Sequence, residues 1–232
     1  MISSVDGSGV LGGRTGGLSG PGDRILFTVL RSLADVILVG AGTARAERYR
    51  PVRRSGIWPG LRSGRDPTPP VAVLTRLGEP LPARMLRSEA DRPARTIVVT
   101  SSDAPRDRLD QAAAHADVIV AGTGPLTASQ AVAALADRGY RQILVEGGPT
   151  LLGQLAAEDA LDELCVTISP LLAGGPGGRI LAPSGEPPAQ GLAVASPLAR
   201  LRVAHVLYDE GFLLCRYLRE PNGSHRAGAV RE

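Results

Sequence analysis

Residues 143–152, ILVEGGPTLL, end a greasy run in a carboxylate, then place two glycines and a proline ahead of a new helical pattern. Glu146 closes a run of Ile143, Leu144 and Val145, so its carboxylate must find hydrogen-bond donors or meet a large desolvation cost. Nearby backbone N–H groups would satisfy it, and so would a polar ligand. Gly147 and Gly148 let backbone N–H groups come close to a phosphate, the following helix adds the positive end of its dipole, and Thr150 adds a hydroxyl. A second such turn is VGAGTARAE, residues 39–47, with Gly40, Gly42 and Thr43. It is not the dinucleotide fingerprint GxGxxG/A, because Arg45 stands where the third glycine belongs. Two further acids, Asp6 and Asp23, bracket a stretch containing eight glycines, and a mobile glycine-rich loop between two acids has the character of an active-site lid.

These residues need elements to hold them. The runs 34–40, 69–75, 94–100, 116–122 and 141–147 are short, rich in Val and Ile, and mostly apolar without alternation, the pattern of parallel strands covered on both faces. Helical patterns lie between them. Residues 22–34 set Ile25, Leu26, Val29, Leu30 and Leu33 on one stripe, with Asp23 near the positive end. Residues 103–116 open with Asp103 as N-cap and Pro105 in the first turn, residues 127–139 run from a Thr127 cap to Gly139, and residues 149–159 are shorter. The last third changes to longer strand patterns at 162–175 and 200–218, the second folding into a hairpin near Asp209-Glu210-Gly211. The predicted fold class is therefore α/β: a mainly parallel sheet flanked by helices, with an antiparallel C-terminal hairpin. Residues 1–220 are expected to form one domain, residues 52–70 a long Pro/Gly/Arg loop, and 221–232 a disordered tail.

Composition narrows the chemistry. All 26 basic residues are arginine, so lysine Schiff bases and a P-loop lysine are excluded. The net charge is only +3 and no basic tract alternates with aromatics, which argues against nucleic acid. Cys165 and Cys215 sit alone in apolar runs and read as core thiols; with the three scattered histidines they give no metal-ligand spacing. No apolar run approaches a membrane span and no signal peptide is visible, so a cytoplasmic setting is expected, without membrane or nucleic-acid partners.

Taken together, SSVDG, then GPGDRILFTVLRSLADVILVGAGTAR, then ILVEGGPTLLGQL and LDELCVTISPLLAGG, in that order and spacing, resemble the pyrimidine reductase domain of bacterial riboflavin biosynthesis. The resemblance runs from about Ile2 to Leu218, and GPGD and ADVI place the chain nearest the free-standing actinobacterial branch, without the zinc-deaminase partner of the bifunctional form. It implies a dihydrofolate-reductase-like fold, a homodimer, and NADPH-dependent reduction of 5-amino-6-(5-phosphoribosylamino)uracil to the ribitylamino product. Carried onto this sequence, it implies that Gly40, Gly42 and Thr43 line the nicotinamide-ribose and phosphate side of the cofactor, and that Gly147, Gly148 and Thr150 hold the pyrophosphate. Thr75 and Arg76 would grip the adenosine 2′-phosphate, and Thr100, Ser101 and Ser102 the adenosine end. Asp6 and Glu146 would face the nicotinamide and the substrate ring, with Asp23 or Asp6 binding substrate or supplying the proton, and Arg50, Arg53 and Arg54 holding the substrate phosphate. For Asp23, simple capping of its helix is the other reading.

In relatives the first strand begins upstream of the position matched by Met1 and carries a polar residue, often lysine, on the substrate. The YRPVRR segment also lacks the usual polar ligands of the family's substrate loop, so specificity is open to drift. Two other activities compete: reduction of another pteridine-like ring such as dihydrofolate, which would need the Asp23 carboxylate on the ring edge, and a catalytically weak NADPH-binding paralogue.

Overall fold

The computed structural model describes residues 1–53, 59–86, 94–175, 177–182 and 200–220. Five of the predicted apolar runs form one parallel sheet. Its strands are β2 (Val36–Gly40), β3 (Val71–Leu74), β4 (Ile97–Thr100), β5 (Asp117–Val120) and β6 (Ile143–Gly147), in the order β5-β4-β3-β2-β6. A second sheet holds β1 (Ile2–Ser4), β7 (Glu163–Ser169), β8 (Leu201–Asp209) and β9 (Phe212–Arg219), in the order β1-β7-β9-β8. Here β1 runs parallel to β7, while β9 is antiparallel to both of its neighbours.

Among the described residues, six α-helices connect and cover the strands: α1 (Pro21–Leu33), α2 (Ala41–Ala46), α3 (Ala83–Leu86), α4 (Arg106–Ala113), α5 (Ala128–Ala136) and α6 (Pro149–Ala157). The core lies on both faces of the parallel sheet. On one face Val39, Val73 and Val98 pack with Ala44, Met85 and Ala112; on the other Leu38, Ala72 and Val99 pack with Ala131, Leu135 and Leu155. Burial on both faces is why β2, β3 and β4 read as unbroken apolar runs. Among the described residues, no helix is long and apolar enough to cross a membrane.

Local chemistry explains most element ends. Thr127 caps α5 as expected: its hydroxyl accepts from the Gln130 N–H at 3.2 Å while the Gln130 side chain accepts from the Thr127 N–H at 3.0 Å, a reciprocal capping box. The β8–β9 hairpin turns on Glu210 and Gly211, at φ 45° and 89°, the left-handed pair that a two-residue hairpin requires. Both cysteines are free, Cys215 being buried.

Two expectations are corrected. Asp103 does not cap α4, whose N-cap is Pro105; its carboxylate instead accepts from the Gly124 N–H at 3.0 Å, clasping the turn after β5. Within α1, Ile25 and Leu33 are exposed rather than turned into the core, and the only buried residue of the helix is Ser32. The end of α1 is held by arginines from the following loop: Arg62 donates to the Ser32 and Ala34 carbonyls and Arg65 to that of Leu33. The glycine-rich N-terminal stretch is anchored in places, with Leu18 buried and the Thr15 N–H and hydroxyl both donating to Glu47. The expected tail at 221–232 lies outside the described residues, as does part of the 52–70 loop.

Candidate functional site

The ends of β2 and β6 lie side by side at the carboxyl edge of the parallel sheet, where open α/β sheets bind their ligands. The register between them slips after Leu38, so that Val39 meets Gly147. Gly147 has φ +107°, a conformation that side chains resist, and the Gly147–Gly148 peptide is cis. A Cβ on Gly148 would overlap the Thr43 hydroxyl, and one on Gly40 would lie 3.9 Å from the Gly147 carbonyl oxygen. The two glycine turns singled out in the sequence therefore meet in space.

Each turn opens a helix. Gly40 is the N-cap of α2 and Gly148 that of α6, and neither has a side-chain cap. Free N–H groups at the start of α6, with its dipole, make a ready anion site beside the Thr43 hydroxyl. This cradle, closed to any side chain at Gly148, fits the pyrophosphate of a dinucleotide. Thr150 is exposed in the first turn of α6, and Gly42 stands open in α2.

Further along the same edge, Thr75 and Arg76 follow β3, and Thr100 and Ser101 end β4. The Thr75 hydroxyl accepts from the Leu77 N–H at 2.9 Å, leaving Arg76 exposed. Thr100 is fully buried, and its hydroxyl has no partner among the described residues.

Glu146 is satisfied by neither backbone nor solvent. Its side chain is 2% exposed, and Arg31 reaches it with Nε on Oε1 and Nη2 on Oε2, both at 2.7 Å. The Tyr49 hydroxyl donates to Oε2, also at 2.7 Å. The Phe27 ring lies 4.3 Å from the Arg31 guanidinium carbon and the Tyr49 ring 5.8 Å from it. Burial pulls the Arg31 guanidinium down, but the hydrogen bonds and charge of Glu146 outweigh it and the net shift is upward. Burial and the neighbouring Glu146 charge push the Tyr49 phenol far up, so it stays a donor.

Asp23 sits in the first turn of α1. Its Oδ2 accepts from Ser19 at 2.6 Å and its Oδ1 from Thr167, in the middle of β7, at 2.7 Å. Asp6 lies apart from it, in the turn beyond β1. It accepts from Ser4 at 2.5 Å and from the N–H groups of Ala173 and Gly174 at 3.0 and 2.8 Å. The Ser4 hydroxyl first, then those amides, lower its carboxyl to about 2. Asp6 also lines a polar cleft of about 430 Å³ with Ser3, Ser8, Gly175, Arg179 and Leu181.

The structure thus brings Gly40, Thr43, Glu146, Gly147 and Gly148 together, with Thr75 and Thr100 along the same edge. Arg50 and Arg53 are exposed beyond α2, and Arg54 lies outside the described residues. Sequence reasoning missed Arg31, Tyr49 and Thr167. One signal was present: Arg31 follows Asp23 by eight positions, on the same side of α1.

The 2,5-diamino-6-ribosylamino-4(3H)-pyrimidinone 5′-phosphate reductase of Archaeoglobus fulgidus is 34% identical over 149 residues, 63% of this chain and 66% of that protein. Its counterpart in Methanothermobacter thermautotrophicus is 31% identical over 165 residues, 71% of this chain and 72% of that one. The chain spans about two thirds of the length of the pyrimidinone phosphate reductases it matches. Among solved structures, a pyrimidine reductase-like protein from Corynebacterium diphtheriae superposes with a TM-score of 0.73 at 28% identity, covering 94% of this chain and 89% of its own. Acinetobacter baumannii RibD shares the fold at 18% identity, with a TM-score of 0.68 over 95% of this chain and 56% of that one. The profile of the RibD C-terminal domain family matches residues 1–210, and the chain belongs to that family.

Proposed function

We propose that residues 1–220 form an NADPH-dependent reductase acting on a phosphoribosylamino-pyrimidine of riboflavin biosynthesis. One observation carries the reading: two helix starts without side-chain caps, at Gly40 and Gly148, meet around Thr43 at the ends of adjacent parallel strands. The names of the curated relatives support the substrate class. They carry a 2-amino group on the ring, whereas 5-amino-6-(5-phosphoribosylamino)uracil carries an oxo group there, so both ring forms belong in the assay.

When bound, the cofactor would supply a hydride to the sugar C1′ of the substrate in its open, protonated imine form, which turns the C=N bond into a C–N single bond and leaves a neutral amine. The protein's part is alignment and a dry site. Gly40, Thr43, Gly147, Gly148 and Thr150 hold the pyrophosphate, with Gly42 beside them. Thr75 and Arg76 take the 2′-phosphate, while Thr100 and Ser101 take the adenosine end. Asp23, fixed by Ser19 and Thr167, accepts from the donor edge of the ring. Glu146 backs the ring side of the site through its partners, Asp6 borders it from the turn after β1, and Arg50 and Arg53 supply positive charge for the substrate phosphate.

We also propose a homodimer formed through β8, the edge strand of the second sheet, which exposes Val203, Val206, Leu207 and Tyr208. The activity is tested by following NADPH oxidation with the diaminopyrimidinone phosphate, the uracil phosphate and dihydrofolate in parallel. Turnover of either phosphate alone is expected. Turnover of dihydrofolate alone would replace the substrate, and cofactor binding without turnover of any of the three would overturn the reaction.

A further inference from the structure

The stretch between β1 and α1 is firm at both ends and free between them. Gly9 is buried, and its N–H donates to the Gly178 carbonyl at 2.6 Å. At the other end Leu18 is buried, a Cβ on Gly20 would overlap the Phe212 ring, and the Gly22 N–H donates to Asp209 at 3.0 Å. Between these anchors, residues 11–17 are all exposed. Leu11 and Arg14 exchange backbone hydrogen bonds of 2.8 and 3.2 Å around Gly12 and Gly13, whose φ values of +59° and +78° suit a two-residue hairpin. The arm is a small preformed hairpin, built to move as one piece.

Among the described residues, its hydrogen bonds to the rest of the molecule go to one acceptor. The Thr15 N–H and hydroxyl both donate to Glu47 Oε1, at 3.2 and 3.1 Å. Glu47 is itself fixed. It closes α2, its N–H donates to the Thr43 carbonyl at 2.9 Å, and the turn runs on through Arg48, at φ 55°, to the Tyr49 N–H on the Ala44 carbonyl at 2.9 Å. Thr43, whose hydroxyl stands against Gly148, lies four positions before Glu47, so the two share one side of α2, about 6 Å apart along its axis. The carboxylate that pins the arm is therefore one turn from the glycine cradle. Two exposed hydrogen bonds are a weak restraint, and breaking them uncovers no core, because residues 11–17 are already exposed.

We propose that residues 11–17 form a gate on the cofactor cleft and that Glu47 is the latch that holds it shut. The proposal rests on the reductase reading, since it takes the glycine cradle as the cofactor site. The latch joins two groups of the protein and needs no ligand contact, so it stabilises the shut form with or without cofactor. It slows entry and exit alike and leaves affinity unchanged.

The variants are Glu47→Ala, which removes the acceptor, Glu47→Gln, which keeps an uncharged one, and Thr15→Val, which keeps only the N–H. Trypsin reads the gate without turnover, because cleavage after Arg14 tracks the open population. It should rise about tenfold in Glu47→Ala, the factor for one charge-assisted contact, and less in the two milder variants, with cuts elsewhere unchanged. Thr15→Val should add nothing in the Glu47→Ala background. Stopped-flow fluorescence of NADPH should show association and dissociation both about tenfold faster in Glu47→Ala, with Kd within about twofold of wild type. A merely structural role for Glu47 would change Kd or the melting temperature and leave the two rates unlinked. NADPH binding at wild-type rates in Glu47→Ala, a weaker Kd carried by dissociation alone, or unchanged cleavage after Arg14 would overturn the gate and leave the reductase reading standing. Absence of NADPH binding by the wild-type protein would overturn both.

Discussion

At the scale of single residues, the sequence marks the unusual atom but not its partner. A carboxylate closing an apolar strand announces Glu146, yet Arg31 and Tyr49, which satisfy it, lie 115 and 97 positions away, beyond any local pattern. Tyr49→Phe isolates one of these contacts. The Arg31 fork remains, so the loss is one hydrogen bond to a charged acceptor, about 1.5–3 kcal/mol. Denaturant melts should show that loss with an unchanged slope. Asp6 allows a test by pH. Its carboxyl is lowered to about 2 from an ordinary 3.8 by Ser4 and the amides of Ala173 and Gly174, so the folded state favours its ionised form. That contribution is complete above about pH 4 and is lost as the pH falls through the folded value near 2. The amide protons of Ala173 and Gly174 should therefore lose protection from exchange over that interval, and Asp6→Asn should remove the transition.

Elements were legible where one force dominates. The central strands β2, β3 and β4 are buried on both faces and read as apolar runs; α5 carries its own capping box. Reading failed where tertiary contacts compete with local preference. Asp103 is a good cap by type, but the Gly124 amide holds its carboxylate. The α1 stripe extends too far, because Ile25 and Leu33 face outward. A contact of α6 was equally hidden: a Cβ on Gly153 would overlap the carbonyl oxygen of Ala182, whose own N–H donates to the Pro149 carbonyl at 3.1 Å. In an isolated helix Gly→Ala gains about 1 kcal/mol. Against a fixed backbone, overpacking costs about 1–3 kcal/mol. Gly153→Ala should therefore lower the melting temperature or release residues 180–182 from α6, and calorimetry with limited proteolysis separates these outcomes. A raised melting temperature with the segment still protected would show that the backbone yields at no cost.

For the whole molecule, the sequence conveys the α/β class but not its division into two sheets. β1 has only three residues and, among the described residues, pairs with β7 alone, so the four-stranded unit is assembled from the two ends of the chain. No periodicity reports a pairing of that separation. Among the described residues the same arrangement leaves β8 as an edge, with nine residues, unpaired backbone groups on one side, and Tyr208 74% exposed. An edge this long and apolar invites pairing unless it is blocked, and in β8 only Arg202, His205 and Asp209 interrupt it. The proposed homodimer covers it with a second copy. Sedimentation should then give twice the chain mass, and Val206→Lys, which sets a charge in the middle of the edge, should shift the equilibrium to monomer. Because Val206 lies on the second sheet and the glycine cradle on the first, NADPH affinity should persist in that monomer. A wild-type protein that sediments as a monomer at assay concentration would end the dimer reading while leaving the cofactor site untouched.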